Sequence, residues 1–168
     1  MKNRAAAIIA AAALTLTAAE AGAQQAVILV RHAELPGAAM ADPKNVPLAP
    51  AGKARARRLA ELLKDADVSA IYVTDFLRTN QTAQPLAKEL GKTLTVVPKG
   101  DPRDLVERLR KQHAGQTVVL VGHTDTLPGL IKALGHPAEI KIDAQDYGNI
   151  FIVTPGAGGA PAFLRLRY

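Results

Sequence analysis

Two histidines and two arginines stand where chemistry could concentrate. Arg31-His32 directly follows the apolar run 26–30, and Gly122-His123 directly follows the apolar run 117–121. Thr74 ends a third such run, Ala70-Ile71-Tyr72-Val73, and Arg78 lies one turn into the segment after it. Arginine presents a planar, permanently charged fork that suits phosphate oxygens. A neutral imidazole can attack phosphorus and form a phosphohistidine, which splits one hard displacement into two easier ones. A second imidazole can donate a hydrogen bond to the equatorial oxygens as charge builds on them. The chain has no Walker-type loop and no dense carboxylate cluster for magnesium. The four residues therefore predict phosphoryl transfer without a metal or other cofactor.

His32 and His123 are 91 residues apart, so the elements between them must bring them together. Strand and helix signals alternate. Residues 26–30 form a continuous apolar run, as in a strand buried on both faces. After a loop holding Pro36, Pro43, Pro47 and Pro50, the pattern from Ala51 turns helical, with Leu59, Leu62, Leu63 and Ala66 at i, i+3, i+4, i+7 spacing. Residues 70–73 form a second strand. Asp75 is placed to cap a helix over 76–90, closed by Gly91, with Pro85 expected to kink or break it. A third strand spans 93–97, and Asp101-Pro102 opens a helix to about His113. A fourth strand spans 117–121 and a short helix 128–134, ended by Gly135. Strands at 149–154 and 162–168 close the chain. The alternation predicts an α/β three-layer sandwich, with a mostly parallel central sheet and helices on both faces. Reactive groups in such sheets gather beyond the C-terminal ends of the strands, where all four residues fall. The amides opening the helix after His123 are expected to add favourable potential for an anion.

The first 23 residues read differently. Lys2 and Arg4 form a basic start, Ala5 to Ala19 carries no charge, and Ala21-Gly22-Ala23 offers small residues to a signal peptidase. The run is too short and too weakly apolar for a membrane span, so 1–23 is expected to be a cleaved signal and 24–168 one domain, periplasmic or secreted. Without the leader, 145 of the 168 residues remain. Lys2, Arg4 and Glu20 leave with it, so the net charge falls from +6 to +5. That length can bury a sizeable core, and the absence of cysteine excludes a disulfide scaffold, a zinc ribbon and a cysteine nucleophile.

The motifs occur in the order of a known family. Val27-Ile-Leu-Val-Arg-His-Ala-Glu34 is similar to the Arg-His-Gly opening of the histidine phosphatase superfamily, which includes the cofactor-dependent phosphoglycerate mutases. Leu48-Ala-Pro-Ala-Gly52 resembles its Leu-Thr-x-x-Gly segment. Thr74-Asp-Phe-Leu-Arg-Thr-Asn-Gln-Thr-Ala83 resembles its Ser-x-x-x-Arg-Ala-x-Gln-Thr-Ala stretch, and Val118 through Thr124 resembles the segment with its second histidine. The resemblance implies a phosphoglycerate mutase-like fold, with His32 as the phosphorylated nucleophile and Arg31, Arg78 and His123 completing the phosphate pocket. Ala33 replaces the family's Gly, and Ala49 its Thr. Family members usually supply a carboxylic acid to protonate the leaving oxygen, often from an insertion after the third strand. Here that segment is only Pro98-Lys99-Gly100-Asp101, so Asp101 and Asp125 are the two candidate donors.

These features lead to an exported phosphoric monoester hydrolase acting on a phosphorylated small molecule, sugar or envelope component. Compactness also fits a phosphohistidine phosphatase, because a leaving imidazole needs less help from an acid than an alkoxide does. A mutase fits less well, since the substrate-covering insertions are short. The rival from another class is a non-catalytic phospho-ligand module, favoured by Ala33 and the unassigned acid. Glu34 has two readings, orienting the nucleophile loop or facing solvent. His113 and His136 lack metal-ligand spacing, and the basic residues of 53–58 and 103–111 read as solvated helix faces. With 4% aromatic residues the chain has no stacking platform for nucleic-acid bases. The positive charge would instead draw anionic substrates to the site.

Overall fold

A computed structural model of the chain describes residues 26–37, 42–156 and 159–168. The leader expected over 1–23 lies outside the described residues. Six strands and four α-helices follow in order: β1 (Ala26–Arg31), α1 (Pro50–Leu63), β2 (Val68–Thr74), α2 (Leu77–Glu89), β3 (Leu94–Val97), α3 (Pro102–Gln112), β4 (Thr117–Gly122), α4 (Leu127–Ala133), β5 (Asn149–Thr154) and β6 (Ala162–Arg167). No helix among the described residues is long and apolar enough to cross a membrane.

The strands form one sheet in the order β3-β2-β4-β1-β5-β6. The first four pair in parallel, while β5 runs antiparallel to both β1 and β6. The sheet is thus mixed at one side and parallel through the part that carries the four residues. Antiparallel β5 and β6 need only a short turn between them, whereas each parallel neighbour needs a crossover helix.

Period-two alternation splits the core into two layers. Val27, Leu29, Tyr72, Val118, Leu120 and Phe151 pack against α3 and α4, through Val106, Leu109, Leu127 and Ile131. Ile28, Val30, Ile71, Val73, Val119 and Val121 pack against α1 and α2, through Leu59, Leu63, Ala83 and Leu86. The central strands are apolar on both faces because helices cover both. The three-layer α/β sandwich expected from the pattern is present.

Several local expectations change. Leu62 is 52% exposed. The buried stripe of α1 is Gly52, Ala56, Leu59, Ala60 and Leu63, and at 3.6 residues per turn Leu62 points about 100° away from Leu63. Asp75 does not cap α2; Phe76 holds that position without a side-chain bond, and Asp75 pairs with Lys44 instead. α2 runs unbroken through Pro85, its buried face of Thr82, Ala83, Leu86 and Ala87 outweighing the one backbone bond that proline removes. Asp101 does cap α3, accepting from the Arg103 amide. Gly91 (φ +61°) ends α2 in the left-handed region as expected.

Candidate active site

The register between β1 and β4 pairs Arg31 with Gly122. His32 and His123, each one residue further on, therefore emerge side by side, their ring centroids 5.3 Å apart. The register between β2 and β4 pairs Val73 with Val121, which brings Thr74 to the same edge. There the Thr74 hydroxyl lies 2.8 Å from His123 Nε2. Arg78, on the first turn of α2, places a guanidinium nitrogen 3.3 Å from His123 Nδ1. The four residues singled out in the sequence converge at one sheet edge, as the strand-end rule requires.

The loop after β1 is fixed at each backbone step. The His32 amide donates to Gly122 O (2.9 Å) and the Ala33 amide to the Thr82 hydroxyl (2.9 Å). Ala33 is fully buried, packed with Leu48 and Ala56, so the methyl that replaces the family's hydrogen fills space there. Glu34 is half-buried and does not simply face solvent. It binds Arg55 of α1 at 2.7 Å, and its carbonyl accepts from the Ala49 amide. His32 Nδ1 lies 2.9 Å from the carbonyl of Ala33. A carbonyl only accepts, so Nδ1 carries the proton and Nε2 keeps its lone pair. Burial, with the nearby charges of Arg78, Arg31 and Lys99, lowers the His32 pKa from 6.5 to about 4; the Ala33 hydrogen bond opposes this shift. At neutral pH the ring is thus an uncharged base with a bare Nε2.

His123 is also held neutral. Burial first, then Lys99, Arg78 and His32, lower it to about 3, with only Asp125 pulling the other way. Both arginines keep donors in reserve. Arg31 is buried and spends one terminal nitrogen on the carbonyls of Asp143, Ala144 and Asp146, with its guanidinium 4.0 Å above the Tyr147 ring. Arg78 spends one nitrogen on the carbonyl of Pro43 (2.7 Å). Among the described residues, the Nε atoms of both arginines are buried without a hydrogen-bond partner. Orphaned buried donors are costly unless a ligand satisfies them.

The α4 amides do not serve the site as expected. Those of Thr126 and Leu127 both bond back to the His123 carbonyl, closing a tight turn. Asp101 lines a cavity with Thr74, Lys99 and Gly122, its carboxylate tied to Arg103 and pushed down to about 2 by that hydrogen bond and the capping amide. Asp125 binds Lys99 at 2.8 Å. Burial works to raise Asp125, but the Lys99 hydrogen bond and charge hold its carboxyl below the ordinary range. Neither candidate donor holds a proton at neutral pH in this arrangement. His113 bonds Tyr72 and Gln116, and His136 stacks on Phe163, both away from the edge.

Several residues at the site were not singled out in the sequence. Thr82 and Gln81 hold the loops at Ala33 and Leu48. Tyr147 faces both Arg31 and His32. Phe76 lies edge-on to His123 at 4.8 Å and under the cations of Arg78, Lys99 and Lys44. Thr82 was visible as a polar residue on the buried face of a helix. Tyr147 left no signal, because its loop has no periodicity.

Residues 27–99 match the family described as the histidine phosphatase superfamily, branch 1. That match spans 73 of the 168 residues and takes in both His32 and Arg78. Among solved structures, the chain is similar to the protein histidine phosphatase SixA complexed with tungstate, with a TM-score of 0.67 and 20% identity over 84% of this chain and 96% of that one. A phosphoserine phosphatase from Entamoeba histolytica in complex with 3-phosphoglyceric acid gives 0.66 and 17%, over 86% and 97%. A mycobacterial glucosyl-3-phosphoglycerate phosphatase gives 0.63 and 16%, over 86% and 98%. At these identities the likeness is one of fold. No curated protein sequence matches the chain.

Proposed function

We propose that the chain is an exported, metal-independent phosphatase that hydrolyses phosphomonoesters through a phosphohistidine on His32. The observation that carries this reading is the bare Nε2 of a neutral His32, its ring 5.3 Å from that of His123 and flanked by two arginines whose Nε donors have no partner among the described residues. Nε2 attacks phosphorus in line, the bond to the leaving oxygen breaks, and Arg31, Arg78 and His123 hold the three equatorial oxygens. Water then attacks the phosphohistidine, releasing phosphate and regenerating neutral His32. The phosphatase names of the structural neighbours support this chemistry, and the composition of 1–23 supports export. Mass spectrometry of protein recovered from the cell envelope should find a mature N-terminus at Gln24 or a near neighbour. An intact Met1 overturns the export.

A specific observation favours a second reading, hydrolysis of phosphohistidine or another phosphoramidate. Asp101 and Asp125 are both held as carboxylates, so the site offers no ready acid for an alkoxide leaving group. Rates across aryl phosphates should accordingly fall steeply as the leaving phenol becomes less acidic, and Asp101→Asn and Asp125→Asn should each change kcat by less than about threefold. A flat series, or a large loss in one variant, would identify that residue as the acid and favour ordinary phosphomonoesters. Turnover of phosphoramidates alone selects the second reading. Binding of phosphate without any covalent label selects a non-catalytic module.

A further inference from the structure

The hydrogen bonds around His123 run in one direction. Arg78 can only donate, so His123 Nδ1, at 3.3 Å, accepts. A neutral ring with a bare Nδ1 carries its proton on Nε2, which then donates to the Thr74 hydroxyl at 2.8 Å. Thr74 is buried, and its own proton has the Thr79 hydroxyl within reach at 3.0 Å. Thr79 is fully buried, and its proton is committed to the carbonyls of Phe76 (2.8 Å) and Thr74 (3.0 Å). The Thr79 oxygen is therefore free to accept. The chain of donors runs from His123 through Thr74 and Thr79 to the backbone, where it ends.

Thr79 stands where the superfamily stretch Ser-x-x-x-Arg-Ala carries Ala. The hydroxyl that terminates the chain is thus an addition to that pattern. Nor is it needed to satisfy the backbone, because Asn80 Nδ2 also donates to the carbonyls of Thr74 (3.1 Å) and Phe76 (2.8 Å).

We propose that Thr79, acting through Thr74, is a positioning residue that fixes His123 as the tautomer with Nδ1 bare toward the phosphate pocket. His123 then meets an incoming phosphoryl group as a hydrogen-bond acceptor. A phosphate monoanion would direct its P–O–H proton to Nδ1 in a hydrogen bond, so that the ring holds the protonated phosphoryl oxygen as an acceptor. The charged and titratable groups facing the ring, Arg78, Lys99, Asp125 and His32, leave it neutral. The catalytic consequence rests on the proposed phosphatase function; the tautomer does not, and it can be read without substrate.

The test is ring nitrogen-15 NMR of His123 in the full chain at neutral pH, with a His123→Gln sample for assignment. Nε2 should be protonated and Nδ1 bare. In Thr79→Val the Thr74 proton loses its acceptor and competes for His123 Nε2, so the Nδ1–H tautomer should gain population against the hold that Arg78 keeps on Nδ1. Thr79→Ser should restore the original pattern. If Thr79→Val fails to fold, Thr79→Ala removes the same hydroxyl with less side chain. A protonated Nδ1 in the unsubstituted protein, or an unchanged tautomer in a folded Thr79→Val or Thr79→Ala, overturns the proposal.

Discussion

His32→Ala should abolish covalent labelling and lower phosphomonoester hydrolysis by roughly 10⁴-fold or more, as loss of a nucleophile that acts with its neighbours as a unit does. The unsubstituted protein, quenched during turnover of a radiolabelled substrate, should carry acid-labile, alkali-stable phosphate; the variant should carry none. Folding should survive the change. The His32 side chain bonds only to the carbonyl of the next residue, and the backbone bonds to Gly122 and Thr82 remain. Full hydrolysis by His32→Ala would remove the phosphohistidine mechanism altogether. The pH profile offers a second check. The attacking ring must be neutral, and burial has lowered its pKa from 6.5 to about 4. The acid limb of kcat/KM that belongs to His32 should therefore lie near pH 4 and not near 6.5. The same depression acts on stability. An unfolded chain takes up these protons near pH 6.5 while the folded one does not, so His32 and His123 weaken the fold as pH falls below about 6.5.

Gly52→Ala should cost about 3 kcal/mol of stability and lower kcat as well. Gly52 lies on the buried face of α1, against the loop that follows β1. A Cβ there would overlap the Glu34 carbonyl oxygen and come within 2.9 Å of the Glu34 nitrogen and 3.2 Å of its carbonyl carbon. All three are backbone atoms, and the loop cannot step aside easily. Ala33 is buried beneath it, the Ala49 amide bonds the Glu34 carbonyl, and Arg55 grips the Glu34 carboxylate. Either α1 lifts from the core or the His32 loop shifts, and the second outcome displaces the nucleophile. Urea unfolding gives the stability change and steady-state kinetics the catalytic one. Gly37→Ala, where no described residue lies within 4 Å of the added atom, is the control and should leave both unchanged. An unchanged urea midpoint in Gly52→Ala would show that this close approach is not a constraint.

What could be read from the residues alone followed from periodicity and strand ends. The apolar runs located the central strands, and a parallel sheet brings His32 and His123 to one edge; that they are neighbours there follows from the pairing of β1 with β4. Asp101-Pro102 marked a cap by local chemistry, and the cap is there. Failures came where tertiary partners outcompete local ones. Asp75 looked like a cap until Lys44, 31 residues away, took its carboxylate. Leu62 fitted the spacing but not the face that meets the sheet. The α4 amides looked free until the turn at His123 used them. Tyr147 and the 143–146 loop could not be found, because what matters there is where carbonyls point, and composition does not record that. The hydrogen-bond direction through Thr74 and Thr79 likewise needs distances.

The grip of Arg31 on the 143–146 loop is made entirely to main-chain oxygens. Every residue type supplies such an oxygen, so the anchor places no demand on which side chains occupy Asp143 or Ala144. Sequence there can drift through generations of substitution while the guanidinium keeps its orientation, provided the loop keeps its length and path. Substrate preference set from this side of the pocket could thus be revised residue by residue, with the phosphate grip inherited unchanged.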